Sequence, residues 1–195
     1  MKFIKLAAAV AAIVALSTTA HAATLASGTF GDVDNPTNTA LSFTFTGAGG
    51  PGTLSFHLDG FTSLDGNNSY EDDFTLTINS VVVFKSTWDL GGGGGTAIYV
   101  DTNGASYIGG TAGWFAGGAY DITVPFAVAA GLNTIQFNYD SLPSPDAGYQ
   151  GIGDEGWGVG EYSVTTPVPE PANGALLLAG LGALGLVLRR RARNA

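Results

Sequence analysis

The C-terminal end of the chain holds the feature that most restricts its folding: an uncharged apolar segment followed by a cluster of arginines. Residues 172–188 include one polar side chain, Asn173, and residues 189–193 include four arginines. As an α-helix, the apolar segment would be about 25 Å long, slightly short of a bilayer core of about 30 Å. Arginine side chains can extend such a span by snorkelling. We therefore expect a transmembrane helix over 172–188 and a basic cytoplasmic end over 189–195.

A Pro-Glu-Pro element, formed by Pro169, Glu170 and Pro171, precedes this helix. Its prolines fix φ and disfavour helix, so the segment is extended just outside the membrane, in a shape that a protease cleft accepts. Together, the three parts resemble the PEP-CTERM sorting tail, over residues 166–195. The resemblance implies cleavage at Pro-Glu-Pro by an exosortase-type membrane peptidase and sorting to the cell surface. A plain C-terminal anchor without processing is the alternative.

The N-terminal end has the pattern of a secretory signal peptide. Two lysines precede an apolar stretch over 6–16, and Ala22 completes a small-x-small cleavage site. This pattern predicts a signal peptide over 1–22 that signal peptidase removes after Ala22. Together with the C-terminal helix, it places residues 23–165 outside the cytoplasm, tethered to the inner membrane until processing.

The segment between the two ends is strongly acidic. Residues 23–168 contain one lysine, Lys85, and fifteen acidic residues, a net charge of −14 against −9 for the whole chain. Such a surface repels nucleic acid, because nucleic-acid binding requires Lys and Arg. It attracts divalent cations. The alternative is that the acidic surface only keeps the exported protein soluble, which would need the same composition. The chain has no cysteine, which excludes disulfides, thiol nucleophiles and thiolate metal sites.

Apolar and polar residues alternate with a period of two along this middle segment. The alternation is clear over 41–46, 54–59 and 74–78, and Asn79-Ser80 offers a hairpin turn before 81–85. Further strand candidates are 97–100, 120–126, 134–139 and 158–164. Eight or nine short strands without helical periodicity predict an all-β domain over 23–165, an antiparallel, jelly-roll-like β-sandwich. A single barrel is the alternative.

The end of this segment supports the same fold. Trp157-Gly158-Val159, followed by Tyr162-Ser163-Val164, resembles the closing strand of jelly-roll domains in PEP-CTERM proteins. Gly160-Glu161 stands where those domains have Asp-Asn. Because of this departure, the resemblance implies the fold and no metal or sugar site on the strand.

The sequence offers little for catalysis. His57 lies between Phe56 and Leu58, so its side chain is expected on the solvent face of a strand. The sequence contains no nucleophile elbow, zinc-protease or phosphate-loop motif. Carboxylates at 71–73 suggest a secreted hydrolase as a further alternative, because glycoside hydrolysis uses two carboxylates. We expect no enzymatic activity.

Calcium binding is a more physical use of the acidic residues. The loop over 65–73 presents oxygen-bearing side chains at close spacing, as a looped calcium site requires, but it lacks the glycine and distal Glu of an EF-hand. The predicted ligands are Asp65, Asn67, Ser69, Glu71, Asp72 and Asp73. A second candidate lies at 32–35. In both places an ordinary turn, in which Asp and Asn bond to their own backbone, is the alternative.

Aromatic residues in or near glycine-rich segments suggest a different ligand. These residues are Trp88, Trp114, Trp157, Tyr107 and Tyr149. Exposed rings could stack on sugars, so a carbohydrate-binding module that acts on exopolysaccharide is the alternative to a non-catalytic surface or matrix protein. Buried rings would instead belong to the core of the sandwich.

Overall fold

The computed structural model describes residues 22–31, 33–142, 150–168, 180–182, 184–185 and 189–193. Between Ala22 and Val168 the described residues form strands, turns and loops, as the period-two alternation predicts. The strands, labelled β1 to β9 in chain order, are Ala22–Thr29, Asn35–Pro36, Thr39–Thr62, Asp72–Ile78, Val81–Thr87, Ala97–Asp101, Ser106–Thr111, Gly118–Ser141 and Glu155–Pro167.

The strands form one sheet in the order β1-β9-β3-β8-β4-β5-β6, with β2 beside β9 and β7 beside β8. The long strands β3 and β8 lie at its centre and pair antiparallel from Thr39↔Tyr139 to Gly60↔Gly118. The pairs β3–β9, β4–β8 and β4–β5 are also antiparallel. The prediction of an antiparallel, mostly β protein is therefore confirmed.

The prediction that all strands are short is wrong for β3 and β8, which have 24 residues each. The alternating stretches 41–46 and 54–59 both lie in β3, because the glycine-rich segment between them stays paired to β8. Gly49 and Gly50 in that segment have φ values of 88° and 115°, which only glycine adopts readily. They bend the strand without ending it.

The bend lets the two halves of the sheet pack against each other through aromatic rings. Phe56, in the second half of β3, lies 5.7 Å from Phe74 on β4 and 4.9 Å from Phe137 on β8, measured between ring centroids. Phe43, in the first half of β3, stacks on Tyr162 of β9 at 4.0 Å. Each large apolar side chain buried in this way contributes about 1.5–3 kcal/mol. Aromatic side chains from both halves of β3 therefore contribute to one hydrophobic cluster.

The predicted hairpin at Asn79-Ser80 is confirmed. Ile78 pairs with Val81, and the two turn residues have φ values of 49° and 67°. Positive φ at both positions is typical of the two-residue turn that matches the twist of the strands.

Residues Ala23–Thr166 form one compact unit, and the terminal segments belong to a second. The predicted signal peptide lies outside the described residues, except for Ala22. Most of the predicted span 172–188 also lies outside them. The described residues 180–182, 184–185 and 189–193 are helical. Within the described part of the chain, no helix has the length and apolar character needed to cross a membrane.

Candidate functional site

The loop after β3 and the start of β4 carry the predicted calcium ligands, and three of them are buried. Asp65, Asp72 and Asp73 are 7%, 0% and 1% exposed. The main-chain N–H of Asp65 donates to Oδ2 of Asp72 at 2.8 Å, and Asn68 Nδ2 donates to Oδ1 of Asp65 at 2.7 Å. Because alternate side chains of a strand share a face, Asp72 points to the same side of β4 as the buried Phe74. The two carboxylates therefore lie together at the edge of the core.

The surroundings of this pair disfavour its negative charge. Burial raises the pKa of Asp72 to about 8 and that of Asp65 to about 6. The hydrogen bond from the main-chain N–H of Asp65 lowers the pKa of Asp72, whereas the charges of Glu155 and Asp65 raise it. The nearby Ser141 hydroxyl donates to Oε2 of Glu155 at 2.8 Å. Oδ1 of Asp72 is enclosed and has no hydrogen-bond partner among the described residues.

The start of β9 brings two further acidic residues to this cluster. Glu155 is 1% exposed, and its Oε2 accepts from Ser141 and from the main-chain N–H of Gln150 at 2.8 and 2.9 Å. Asp154 has an enclosed Oδ1 without a partner among the described residues, and both residues raise the pKa of Asp65 by their charge. No local sequence pattern links them to the loop at 65–73, because only the folded chain brings residues so far apart in sequence together.

The other predicted calcium ligands lie in different surroundings. Glu71 is at the surface, where its carboxylate accepts from Asn67 Nδ2 at 2.9 Å and from the Tyr99 hydroxyl at 2.5 Å. Asp73 pairs with Lys85 at 2.7 Å. Ser69 is exposed. The structure thus brings Asp65 and Asp72 together, places the equally buried Asp73 against Lys85, and leaves Asn67 and Ser69 exposed. Within the described residues, no three acidic or histidine side chains form a ready-made metal site.

A groove of about 770 Å³ is lined by residues of β1, β3, β8 and β9. It has hydroxyl groups from these four strands on its walls: Ser27, Thr29, Ser55, Thr123 and Ser163. His57 and the carboxylates of Asp121 and Glu161 also line it. The groove therefore offers many hydrogen-bonding groups and a net negative charge.

His57 lies between two carboxylates. Its Nδ1 is 2.7 Å from Oδ1 of Asp121, and its Nε2 is 3.2 Å from Oδ1 of Asp59. The hydrogen bond with Asp121 raises the pKa of His57, partial burial lowers it, and Asp59 raises it further. Because a carboxylate faces each ring nitrogen, this histidine has no free nitrogen to accept a proton from a substrate. The expected solvent-side position of His57 is confirmed, since its side chain is 40% exposed.

The aromatic residues suggested for sugar binding fall into two groups. Trp88 and Trp157 are fully buried, so their proposed exposure is wrong: Trp88 stacks on Tyr120 at 4.7 Å. Trp114 is 72% exposed and Tyr107 is 37% exposed. Tyr149 lies outside the described residues. Of the four members of this set that the structure describes, Trp114 alone is mostly exposed.

The predicted processing residues lie at the ends of the β unit. Ala22 is the first residue of β1, and β9 ends at Pro167. Pro169, Glu170 and Pro171 lie outside the described residues.

Comparison with known proteins identifies the C-terminal segment. The PEP-CTERM protein-sorting motif matches residues 167–191. No curated protein matches the chain closely enough to extend this comparison. The chain therefore carries a PEP-CTERM sorting motif, which implies export, processing by an exosortase and a surface or extracellular location.

Proposed function

We propose that this chain is a cell-surface or extracellular-matrix protein whose folded sheet acts as a non-catalytic, jelly-roll-like sandwich. The position of the sorting motif is the observation that carries this proposal. The motif begins at residue 167, where β9 ends. Cleavage near Pro169, Glu170 and Pro171 would release all nine described strands with their pairing intact.

The surroundings of the ionisable side chains support a non-catalytic role. His57 is held between Asp59 and Asp121, so it is poorly placed as a general base. The carboxylates at 71–73 all have partners within the chain: Asp72 accepts from the main-chain N–H of Asp65, Asp73 pairs with Lys85, and Glu71 accepts from Asn67 and Tyr99. These partners disfavour their use as the acid and base of glycoside hydrolysis.

The intact mass of the exported protein tests the proposal. In a host with an active exosortase, we expect a released species that begins at Ala23 and ends near Pro169. Replacing Pro169, Glu170 and Pro171 by Ala should keep the chain in the membrane fraction, as should a host lacking the exosortase. Glu161→Gln, a charge-neutralising change within β9, serves as the control and should be released normally. A surface species that retains residues 189–195 would disprove processing.

A second candidate function, binding of exopolysaccharide, is favoured by the groove beside His57. Its walls carry hydroxyl and carboxylate groups from β1, β3, β8 and β9, and such groups bind sugar hydroxyls by hydrogen bonds. The negative charge of Asp121 and Glu161 favours a neutral or amino-sugar polymer over a uronic-acid polymer.

Binding of defined oligosaccharides tests this second candidate. We expect the chain to bind a neutral or amino-sugar hexasaccharide and to ignore a uronic-acid hexasaccharide. Asp121→Ala should weaken binding, and Trp114→Ala should leave it unchanged. Loss of binding in Trp114→Ala alone would move the site to the exposed aromatic loop, and no binding by the parent chain would exclude the function.

A further inference from the structure

The buried carboxylate cluster beside β4 has no cationic side chain from residues 23–168 to pair with. Lys85 is the single lysine or arginine between residues 23 and 168, and its ammonium group is bound to Asp73 at 2.7 Å. The cluster around Asp72, Asp65 and Glu155 therefore has no cationic side chain of this segment to neutralise it. Burying a carboxylate without a counter-charge or a full set of hydrogen bonds is strongly unfavourable.

An enclosed oxygen atom marks the place where a neutralising group would bind. Asp72 is 0% exposed, and its Oδ1 has no hydrogen-bond partner among the described residues, whereas its Oδ2 accepts from the main-chain N–H of Asp65. Oδ1 of Asp154 is similarly enclosed and unpartnered. Asp154 is joined to the same loop, because its carbonyl oxygen accepts from the N–H of Ser63 at 2.9 Å. The unpartnered Oδ1 of the fully buried Asp72 points to a cationic ligand.

We propose that a divalent cation of the calcium type binds at Asp72 and Asp65 and supplies the positive charge that this cluster lacks. Calcium takes six to eight oxygen ligands and accepts carbonyl, hydroxyl and water oxygens beside carboxylates. Two carboxylates with such oxygens around them therefore suffice as the core of a site. The cation would join the loop before β4 to the edge of the core, and its role is structural.

The site differs from the loop cage that the spacing of residues 65–73 suggests. Glu71 already accepts hydrogen bonds from Asn67 and Tyr99 at the surface, and Asp73 is neutralised by Lys85. Of the six predicted ligands, Asp65 and Asp72 are the buried carboxylates that have no cationic side chain beside them. Glu71 therefore provides a matched control, because it belongs to the same loop and has the same charge.

Thermal unfolding of the full chain in metal-free buffer tests the proposal, with calcium chloride compared against sodium chloride at equal ionic strength. A cation bound only by the folded state should raise the midpoint by about 5 to 10 °C at a hundredfold excess over Kd. Asp72→Asn and Asp65→Asn should lose this calcium-specific rise, whereas Glu71→Gln should keep it. Calorimetric titration of the parent chain with calcium, which needs no variant to fold, should show one bound ion.

Three results would overturn the assignment. An equal rise in calcium and in sodium would mean that general screening is the whole effect. A calcium response that persists in Asp72→Asn, or that is lost in Glu71→Gln, would place the ion elsewhere. Titration without binding of calcium to the parent chain would show that the cluster is neutralised by protons alone.

Discussion

At the scale of single residues, the placement of one charged group beside another decides what each can do. His57 has a carboxylate at each ring nitrogen, and that arrangement favours its protonated form. Asp73 has the same kind of support from Lys85. Asp72, only one residue away on β4, is equally buried but points to the other face of the strand and has no cationic partner in this segment. The period of two along a strand thus gives Asp73 a positive partner and leaves Asp72 without one.

His57 makes the stability of the fold depend on pH. Its pKa is raised in the folded state, chiefly by the hydrogen bond with Asp121. Its contribution is therefore complete below the ordinary histidine pKa of about 6.5 and is lost as the pH rises through the folded-state value. The pKa values of Asp72 and Asp65 are raised to about 8 and about 6 in the folded state. Their ionisation therefore also lowers the stability of the fold as the pH rises.

The contribution of His57 can be isolated by comparing the parent chain with His57→Gln. Melting temperatures measured from pH 5 to pH 9 should fall more steeply with pH in the parent chain. The variant keeps the pH dependence that comes from Asp65 and Asp72 but lacks the part that comes from the imidazole. Asp121→Asn should also flatten the curve. Parallel curves for the parent chain and His57→Gln would show that the two carboxylates do not stabilise the imidazolium.

At the scale of elements, the central pair β3 and β8 determines the shape of the sheet. Gly47 lies at the start of the bend, where an added Cβ would come within 2.2 Å of Val128 Cγ1 and 3.0 Å of the carbonyl oxygen of Ala129. Gly47→Ala should therefore lower the free energy of unfolding by about 1–3 kcal/mol, the typical cost of overpacking.

Chemical denaturation of both chains measures this loss. Gly110→Ala, in β7, is the matched control, because a Cβ there meets nothing within 4 Å, and its stability should change little. Equal stability of Gly47→Ala and the parent chain would mean that the strands accommodate the added methyl group without loss of stability.

Some features of these strands are predicted by local sequence patterns, and others are not. Alternation locates the strands, and Asn79-Ser80 locates the hairpin, because both signals are local. The continuity of β3 through its glycines is not readable locally, since glycine-rich segments also form ordinary turns. The pairing of His57 with Asp121 spans 64 residues, and Trp88 is buried by Tyr120 from a distant strand. Such contacts depend on the register of β3 against β8, which no local pattern specifies.

At the scale of the whole molecule, charge and sorting motif describe a protein suited to an exported location. Residues 23–168 carry fifteen acidic groups and a single lysine, which is bound to Asp73. Mutual repulsion keeps such proteins soluble but destabilises the compact state. The sorting motif at 167–191 follows this acidic unit and carries the arginines, so cleavage at Pro-Glu-Pro would release a product more acidic than the full chain.

This imbalance predicts that monovalent salt stabilises the fold. Raising sodium chloride from about 10 mM to about 150 mM shortens the Debye length from about 30 Å to about 8 Å and screens repulsion between exposed carboxylates. We expect the melting temperature to rise over this range in metal-free buffer, and the rise to shrink near pH 4, where many carboxylates are protonated. Potassium chloride should act like sodium chloride, because screening depends on ionic strength. A melting temperature that falls with salt at neutral pH would mean that the attractive pairs, such as Lys85–Asp73, outweigh the repulsion of the remaining acidic groups.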